Sequence, residues 1–293
     1  MRFKKHKLIS VIVPCFNSGK TLKRTIQSIK NQSWPEKEII LINDGSNDEK
    51  TLEILEDFKN DRIIKIIEQE NKGLSAARNI GAISSSGTYL FFLDSDDWID
   101  ANALEEFYFN FQNNKNFVYF FTDCVLEGEI KGYRKKEFNV FEQMFINQIP
   151  YSIFISKKIF IEKGLYDENM KLGYEDWELN VRLASKKLYG KRIAKPIFHY
   201  NVSNSGMLIS KSIHNHIKTW KYIQFKNKNF YKLQNIIYIF FKWFTKKYNY
   251  PLFIVFIWYL MLNYLPEFIT IYVFLTIRRI KFFTKKYIAF TFK

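Results

Sequence analysis

A chain of 293 residues that is 47% hydrophobic and 18% aromatic has ample apolar surface for one large core, or for a domain with an appendage. Its two cysteines, Cys15 and Cys124, are far apart and show neither metal nor disulfide spacing, which fits a reducing compartment. The net charge is +16, but it is concentrated: residues 201–293 hold 15 of the 45 Lys+Arg and only one of the 29 acids, Glu267, so the front two thirds are nearly balanced.

The N-terminal stretch MRFKKHKLISVIVPCFNSG has a basic start and an apolar run, but no small-residue cleavage site follows, so a buried strand suits it better than a signal peptide. The β-branched run Leu8–Val13 predicts a strand covered on both faces and closed by Pro14. Leu22, Ile26 and Ile29 then recur at helical spacing, with Asn17 or Ser18 placed to cap. Glu38–Ile42 reads as a second strand ended by the turn NDGSND, Thr51–Phe58 as a helix and Ile63–Ile67 as a third strand. NKGLSAARNIG predicts a loop entering a small-residue helix, and Thr88–Leu93 a fourth strand. Asp100–Gln112 follows as a helix and Phe117–Thr122 as a fifth strand. Strands alternating with helices at this spacing predict an α/β fold with a mainly parallel sheet, whose ligands sit beyond the carboxyl ends of the strands. Further on, Gly128–Lys136 reads as a polar hairpin or loop, Ser152–Ser156 and Ile193–Tyr200 as strands, and GYEDWELNVRLASK as a helix with acids at its start.

The chemistry gathers at strand ends. Asp94, Asp96 and Asp97 follow the apolar strand directly, and a D-x-D there places two carboxylates on one side, as oxygen ligands for Mn²⁺ or Mg²⁺ shared with a substrate phosphate. The alternative is that Asp96 or Asp97 caps the next helix. Asp44, in NDGS, is either a turn residue or a hydrogen-bond acceptor for a base or ribose. Gly73 permits close backbone approach, and Arg78 is a fork suited to phosphate; a tight turn and helix packing through Ala76 and Ala77 account for the same residues.

Taken together, ISVIVPCFNSG through NDGSND, NKGLSAARNIG, GTYLFFLDSDDW and GYEDWELNVRLA resemble, in order and spacing, the family 2 glycosyltransferases of the GT-A fold over roughly residues 7–205. The resemblance implies that Pro14 and Asn17 line a nucleotide pocket, that Asp44 holds a uracil ring, and that Gly73 and Arg78 lie near the ribose and diphosphate. Asp94, Ser95 and Asp96 would bind the donor, with Asp96 and Asp94 at a Mn²⁺ or Mg²⁺ ion and Asp97 open as a further ligand. Asp176 would be the base that deprotonates an acceptor hydroxyl, with Glu175 as its rival. One carboxylate base and no carboxylate nucleophile imply inversion at the anomeric carbon. The segment FHYNVSNSGM resembles the block that ends the domain, with His199 or Ser205 near the diphosphate, although a lone His beside a strand is more often a packed residue. Asn43 stands where many relatives have an Asp, which bears on nucleotide preference. A sugar nucleotidyltransferase would want a Gly- and Arg-rich phosphate loop after the first strand, and PCFNSGK is a poor one. An inactive sugar-nucleotide-binding module is the non-enzymatic alternative, against which the intact Asp94, Asp96 and Asp176 stand.

The expected layout is a GT-A domain over 1–210, with a nucleotide-binding half to about 123 and an acceptor half from about 124, and a basic, helical, membrane-associating region over 211–293. Lysines mixed with aromatics suit nucleic acid or anionic lipid. The runs 251–262 and 268–277 favour lipid, since nucleic acid has no use for a dozen consecutive apolar residues, yet each is short of the roughly 20 residues of a spanning helix. The remaining alternative is that these helices pack on the domain or form a dimer. The expected partners are a UDP-linked or other nucleotide sugar, a saccharide or lipid-linked acceptor, and an anionic membrane surface. The resulting expectation is a peripheral or re-entrant protein at the cytoplasmic face of a bacterial plasma membrane, at work on surface polysaccharide or glycolipid. Donor sugar, linkage and oligomeric state are not legible.

Overall fold

The computed structural model describes residues 7–203, 215–266, 268–270 and 272–273. Ser205 and half of the apolar run 268–277 therefore lie outside the described residues.

Strands β1 (Ile9–Cys15), β2 (Lys37–Asp44), β3 (Ile64–Gln69) and β4 (Tyr89–Phe92) form a parallel sheet half in the order β3-β2-β1-β4. Every residue of β1 is buried, as its unbroken apolar run requires of a strand covered on both faces. The strand runs through Pro14, which pairs in register with Ile42, to end at Cys15. Helices α1 (Leu22–Lys30), α2 (Glu49–Phe58) and α3 (Leu74–Ser84) make the crossovers. Neither Asn17 nor Ser18 caps α1 with its side chain. The helix is entered instead through the Ser18 carbonyl, which accepts from the amides of Thr21 and Leu22. The small residues of α3 serve close packing: a Cβ on Gly81 would lie 2.6 Å from side-chain carbons of both Ile12 and Ile42.

The second half of the sheet is mixed. β4 pairs antiparallel with β8 (Phe154–Ser156), which pairs antiparallel with β6 (Tyr119–Gly128). β6 lies parallel to β9 (Gly190–Val202), and β5 (Trp98–Ile99) closes this edge antiparallel to β9. β7 (Gly132–Arg134) returns on β6 as the outer arm of the expected hairpin. Helix α4 (Ala103–Asn113) starts later than its first polar residue suggests, and neither Asp96 nor Asp97 caps it. The short elements β5, α5 (Val140–Gln143) and α6 (Lys157–Glu162) carry too few residues to announce a period.

Helix α7 (Glu175–Ser185) enters from Tyr174 in a left-handed conformation, φ 64°. Beyond the sheet, α8 (His216–Lys226), α9 (Leu233–Trp243) and α10 (Leu252–Tyr264) pack against α5 and α7 in a second apolar core that includes Phe141, Phe145, Trp177 and Trp220. Lys226 of α8 bridges Asp167 at 2.5 Å and Glu178 at 3.0 Å, tying this region to α7. Among the described residues, no helix is long and apolar enough to cross a membrane.

Candidate active site

The polar residues at the ends of β1, β2 and β4 converge, as a doubly wound sheet requires. Asn17 takes a positive φ of 52°. From there its side chain receives the Asn47 amide at 2.9 Å and donates to the Asn47 side chain at 2.9 Å, clamping the loop after β1 to the loop after β2. Pro14 is buried inside β1, so only Asn17 of this pair is exposed at the mouth. Asp44 is buried and accepts from the Gln69 side chain at 2.6 Å and from the amides of Lys72 at 2.8 Å and Gly73 at 2.9 Å. Its carboxylate thus sets the approach to α3. Gly73 sits at φ 93° with nothing within 4 Å of the position a Cβ would take, so its backbone faces open space. The departure at Asn43 has a physical partner. Its amide donates to Glu68 at 2.6 Å, where an Asp would set two carboxylates against each other.

The acid cluster after β4 is held from several sides. Ser95 is buried and shares a 2.7 Å hydrogen bond with Ser18. The Thr25 hydroxyl donates to the carbonyls of Ser95 at 3.0 Å and Asp97 at 2.7 Å, and Arg24 donates to the Asp96 carbonyl at 2.9 Å. Asp97 is fully buried; it receives the Tyr151 hydroxyl and the Asn201 amide, 2.7 Å away, so it serves the fold rather than a helix start. The same Tyr151 oxygen accepts from the Asp94 amide at 2.9 Å.

Arg78 is placed differently from the sequence expectation. Its guanidinium is fully buried, donating to Asp94 at 2.6 Å and Glu175 at 2.5 Å, over the rings of Tyr151 and Tyr166. Two carboxylates already close the fork, so it stands behind the D-x-D instead of presenting itself to a phosphate. This ion pair joins the end of β4 to the start of α7 and places Asp176, the second residue of α7, beside the same cluster. Asp176 is half-buried and accepts from the Asn147 side chain at 3.0 Å. Burial, followed by the neighbouring Glu175 charge, pushes Asp176 up to about 6. Glu175 differs in kind: it is buried and already paired with Arg78. His199 stacks on Trp98 with ring centroids 3.3 Å apart and is pinned between Glu127 at 3.0 Å and Asp100 at 2.9 Å, the packed arrangement of a structural histidine.

Sequence reasoning misses Tyr151, Asn147 and Asn201 as members of the site. Each comes from the second half of the chain, where local pattern carries no signal that it meets the acids.

The acids fit a divalent cation by their chemistry. One oxygen of Asp94 is taken by Arg78, leaving the other and the Asp96 carboxylate as hard oxygen donors. Among the described residues, no group of three His, Cys, Asp or Glu side chains can hold a metal ion. The protein would supply two ligands, and phosphate and water the rest, as Mg²⁺ sites commonly do. Burial, followed by the charge of Asp94, pushes Asp96 up to about 6, as expected where negative charge is in excess. A carboxylate raised in the folded state costs stability once ionised. The cost is absent below about pH 4 and complete above about pH 6. Asp96→Asn is therefore expected to raise the Tm of the metal-free protein at pH 7.5, by about 1–2 kcal/mol or a few degrees, with no gain near pH 4. Thermal melts check this. Mn²⁺ with UDP should stabilise the wild type more than the variant.

Against known proteins, residues 10–172, more than half of the chain, match the family described as Glycosyl transferase family 2. The chain belongs to this family. Among curated relatives, the Staphylococcus aureus (strain N315) poly(ribitol-phosphate) beta-N-acetylglucosaminyltransferase TarP is 35% identical over 170 residues, covering 56% of this chain and 51% of TarP. The Bacillus subtilis (strain 168) minor teichoic acid biosynthesis protein GgaA is 33% identical over 223 residues, covering 70% of this chain and 50% of GgaA. The crystal structure of S. aureus TarS 1-349 in complex with UDP-GlcNAc has a TM-score of 0.62 at 18% identity, over 74% of this chain and 65% of that one. That likeness shows the shared fold. The chain spans about half the length, or less, of the curated relatives it matches.

Proposed function

We propose that this family 2 chain is an inverting glycosyltransferase that moves a sugar from a UDP-linked donor to a hydroxyl of a saccharide or lipid-linked acceptor. The observation that carries the proposal is the link made by Arg78, which pairs with Asp94 of the D-x-D and with Glu175 at the start of α7. The next residue, Asp176, is half-buried, bonds to Asn147 and has no ion pair with Arg78. With its proton affinity raised to about 6, Asp176 is ionised at pH 7.5 and still basic enough to share a proton in the transition state. The acceptor O–H proton passes to Asp176 as the oxygen bonds to the anomeric carbon. The carbon–oxygen bond to the diphosphate breaks on the opposite face, and UDP leaves with that electron pair. Glu175 cannot take this role while its charge is committed to Arg78. Asn147 orients the Asp176 carboxylate, and Gly73 lets the donor's ribose or diphosphate approach the backbone. A Mn²⁺ or Mg²⁺ ion held by Asp96 and Asp94 would act as a Lewis acid for charge growing on the diphosphate.

UDP as the nucleotide is supported by the fold shared with TarS, which was crystallised in complex with UDP-GlcNAc, and a surface-polymer or glycolipid acceptor by the names of TarP and GgaA. The basic C-terminal region, with its exposed apolar side chains, supports association with an anionic membrane surface, at the cytoplasmic side where nucleotide sugars are made. The test is nucleotide release from a panel of UDP-, GDP- and dTDP-sugars. Release of UDP from one UDP-sugar, stimulated by Mn²⁺, is the expected result; turnover of only GDP- or dTDP-sugars removes the donor assignment.

A further inference from the structure

The far end of α7 carries a second polar feature. A cavity of about 400 Å³ opens where the C-terminal end of α7 meets α8 and α9. Lys187, Lys228 and Lys242 line it together with Tyr189, Tyr238 and Trp243, and among the described residues no carboxylate does. Lys226, which also lines it, is already neutralised by Asp167 and Glu178. Lys242 lies over the rings of Tyr189 and Tyr238, which fix the ammonium in place. Three cations facing one concavity without an acid repel each other unless an anion joins them.

What surrounds the cavity indicates which anion. Leu233, Ile237 and Phe241 recur along α9 at helical spacing, continued by Phe244 just past its end, and all are exposed, Phe241 by 70%. Tyr238 belongs both to the cavity and to this exposed side of α9. Phe253, Ile257, Leu260 and Tyr264 form a similar exposed stripe on α10. Residues 201–266 contain no acid at all. A soluble phosphate has no use for uncovered aromatics beside it, whereas an anionic bilayer offers phosphate and hydrocarbon within a few ångströms of each other.

We propose that this cavity binds the phosphate headgroup of an anionic phospholipid while the apolar stripe of α9 enters the same leaflet. It deepens, and rests on, the membrane-association reading above. Its distance from the chemistry is set by α7: Ser185, on the cavity wall, is nine residues beyond Asp176, roughly 14 Å along the helix. The lipid site is thus separate from the donor site and acts on the opposite end of the helix that carries the base.

The experiment is flotation of the full chain with phosphatidylcholine vesicles, with and without phosphatidylglycerol, comparing wild type with the triple variant Lys187→Ala, Lys228→Ala and Lys242→Ala. All three lysines are exposed, so the replacements disturb no core. Each lysine near an anionic surface contributes about fivefold, so binding to phosphatidylglycerol vesicles should weaken on the order of a hundredfold. Arginine at the same positions should restore it, and nucleotide release from the UDP-sugar should be unaffected. Wild type and triple variant floating equally would overturn the cavity while leaving membrane association standing. Wild type failing to float with any vesicle would overturn both. Binding displaced fully by millimolar glycerol phosphate would assign the cavity to a soluble phosphate and overturn the lipid.

Discussion

Replacing Asp176 by Asn is expected to lower kcat a hundred- to ten-thousandfold, the usual worth of a positioned general base, while UDP binding changes by less than about twofold. The split follows from placement. Asp176 reaches the site from α7 and, among the described residues, bonds to Asn147 and its own helix, whereas Asp44, Gly73 and the D-x-D belong to the first sheet half. Asn keeps the size and, through its single oxygen, one of the two hydrogen bonds that Asp176 accepts from the Asn147 side chain and the Trp177 amide, so the packing is kept while the proton acceptor is gone. Steady-state transfer and calorimetric titration with UDP measure the two effects. Turnover within a few-fold of wild type would take the base role from Asp176. For the wild type, activity should rise with pH through about 6, as the carboxylate ionises, and then level off.

Arg78→Leu is expected to cost about 3–5 kcal/mol, because it strands two carboxylates where the native structure pairs both. Arg78 and Glu175 are buried, so water does not readily take the place of the guanidinium between the two acids, although Asp94 keeps partial exposure. The corresponding fall in Tm is on the order of 10 °C at pH 7.5. Stranded acids have proton affinities above their unfolded values, so the deficit is complete when they are ionised and shrinks as pH falls toward 5. Melts at pH 7.5 and 5 check this, and an unchanged Tm at pH 7.5 would mean that the two ion pairs carry no stability. Lysine should rescue poorly, since one ammonium does not reproduce a planar fork between two carboxylates.

The first sheet half was legible because each element is local: apolar runs bounded by turn residues, and helices with one buried stripe. β6 outran its expected end because its residues from Cys124 to Gly128 still pair with β9 beyond a register shift, a non-local match that no run of sequence displays. The candidate site divides the same way. Asp44, Gly73 and the D-x-D announce themselves at strand ends, but the partners of Asp97 and Asp176 come from 54 and 29 residues away. Arg78 shows the limit most clearly. Its residue type suits phosphate, yet its fork is used up by Asp94 and Glu175, and only the tertiary structure reveals that. The apolar run 251–262 gives no sign of which side is covered, whereas in the structure α10 places Val255 and Met261 in the second core and leaves Phe253, Ile257 and Leu260 exposed.

Single displacement at the anomeric carbon leaves a stereochemical signature, read by proton NMR of the product after transfer from an α-linked UDP-sugar to a simple acceptor. A β-linked product is expected from one displacement assisted by Asp176. An α-linked product would contradict the proposed mechanism, because retention requires a different chemistry from one carboxylate base.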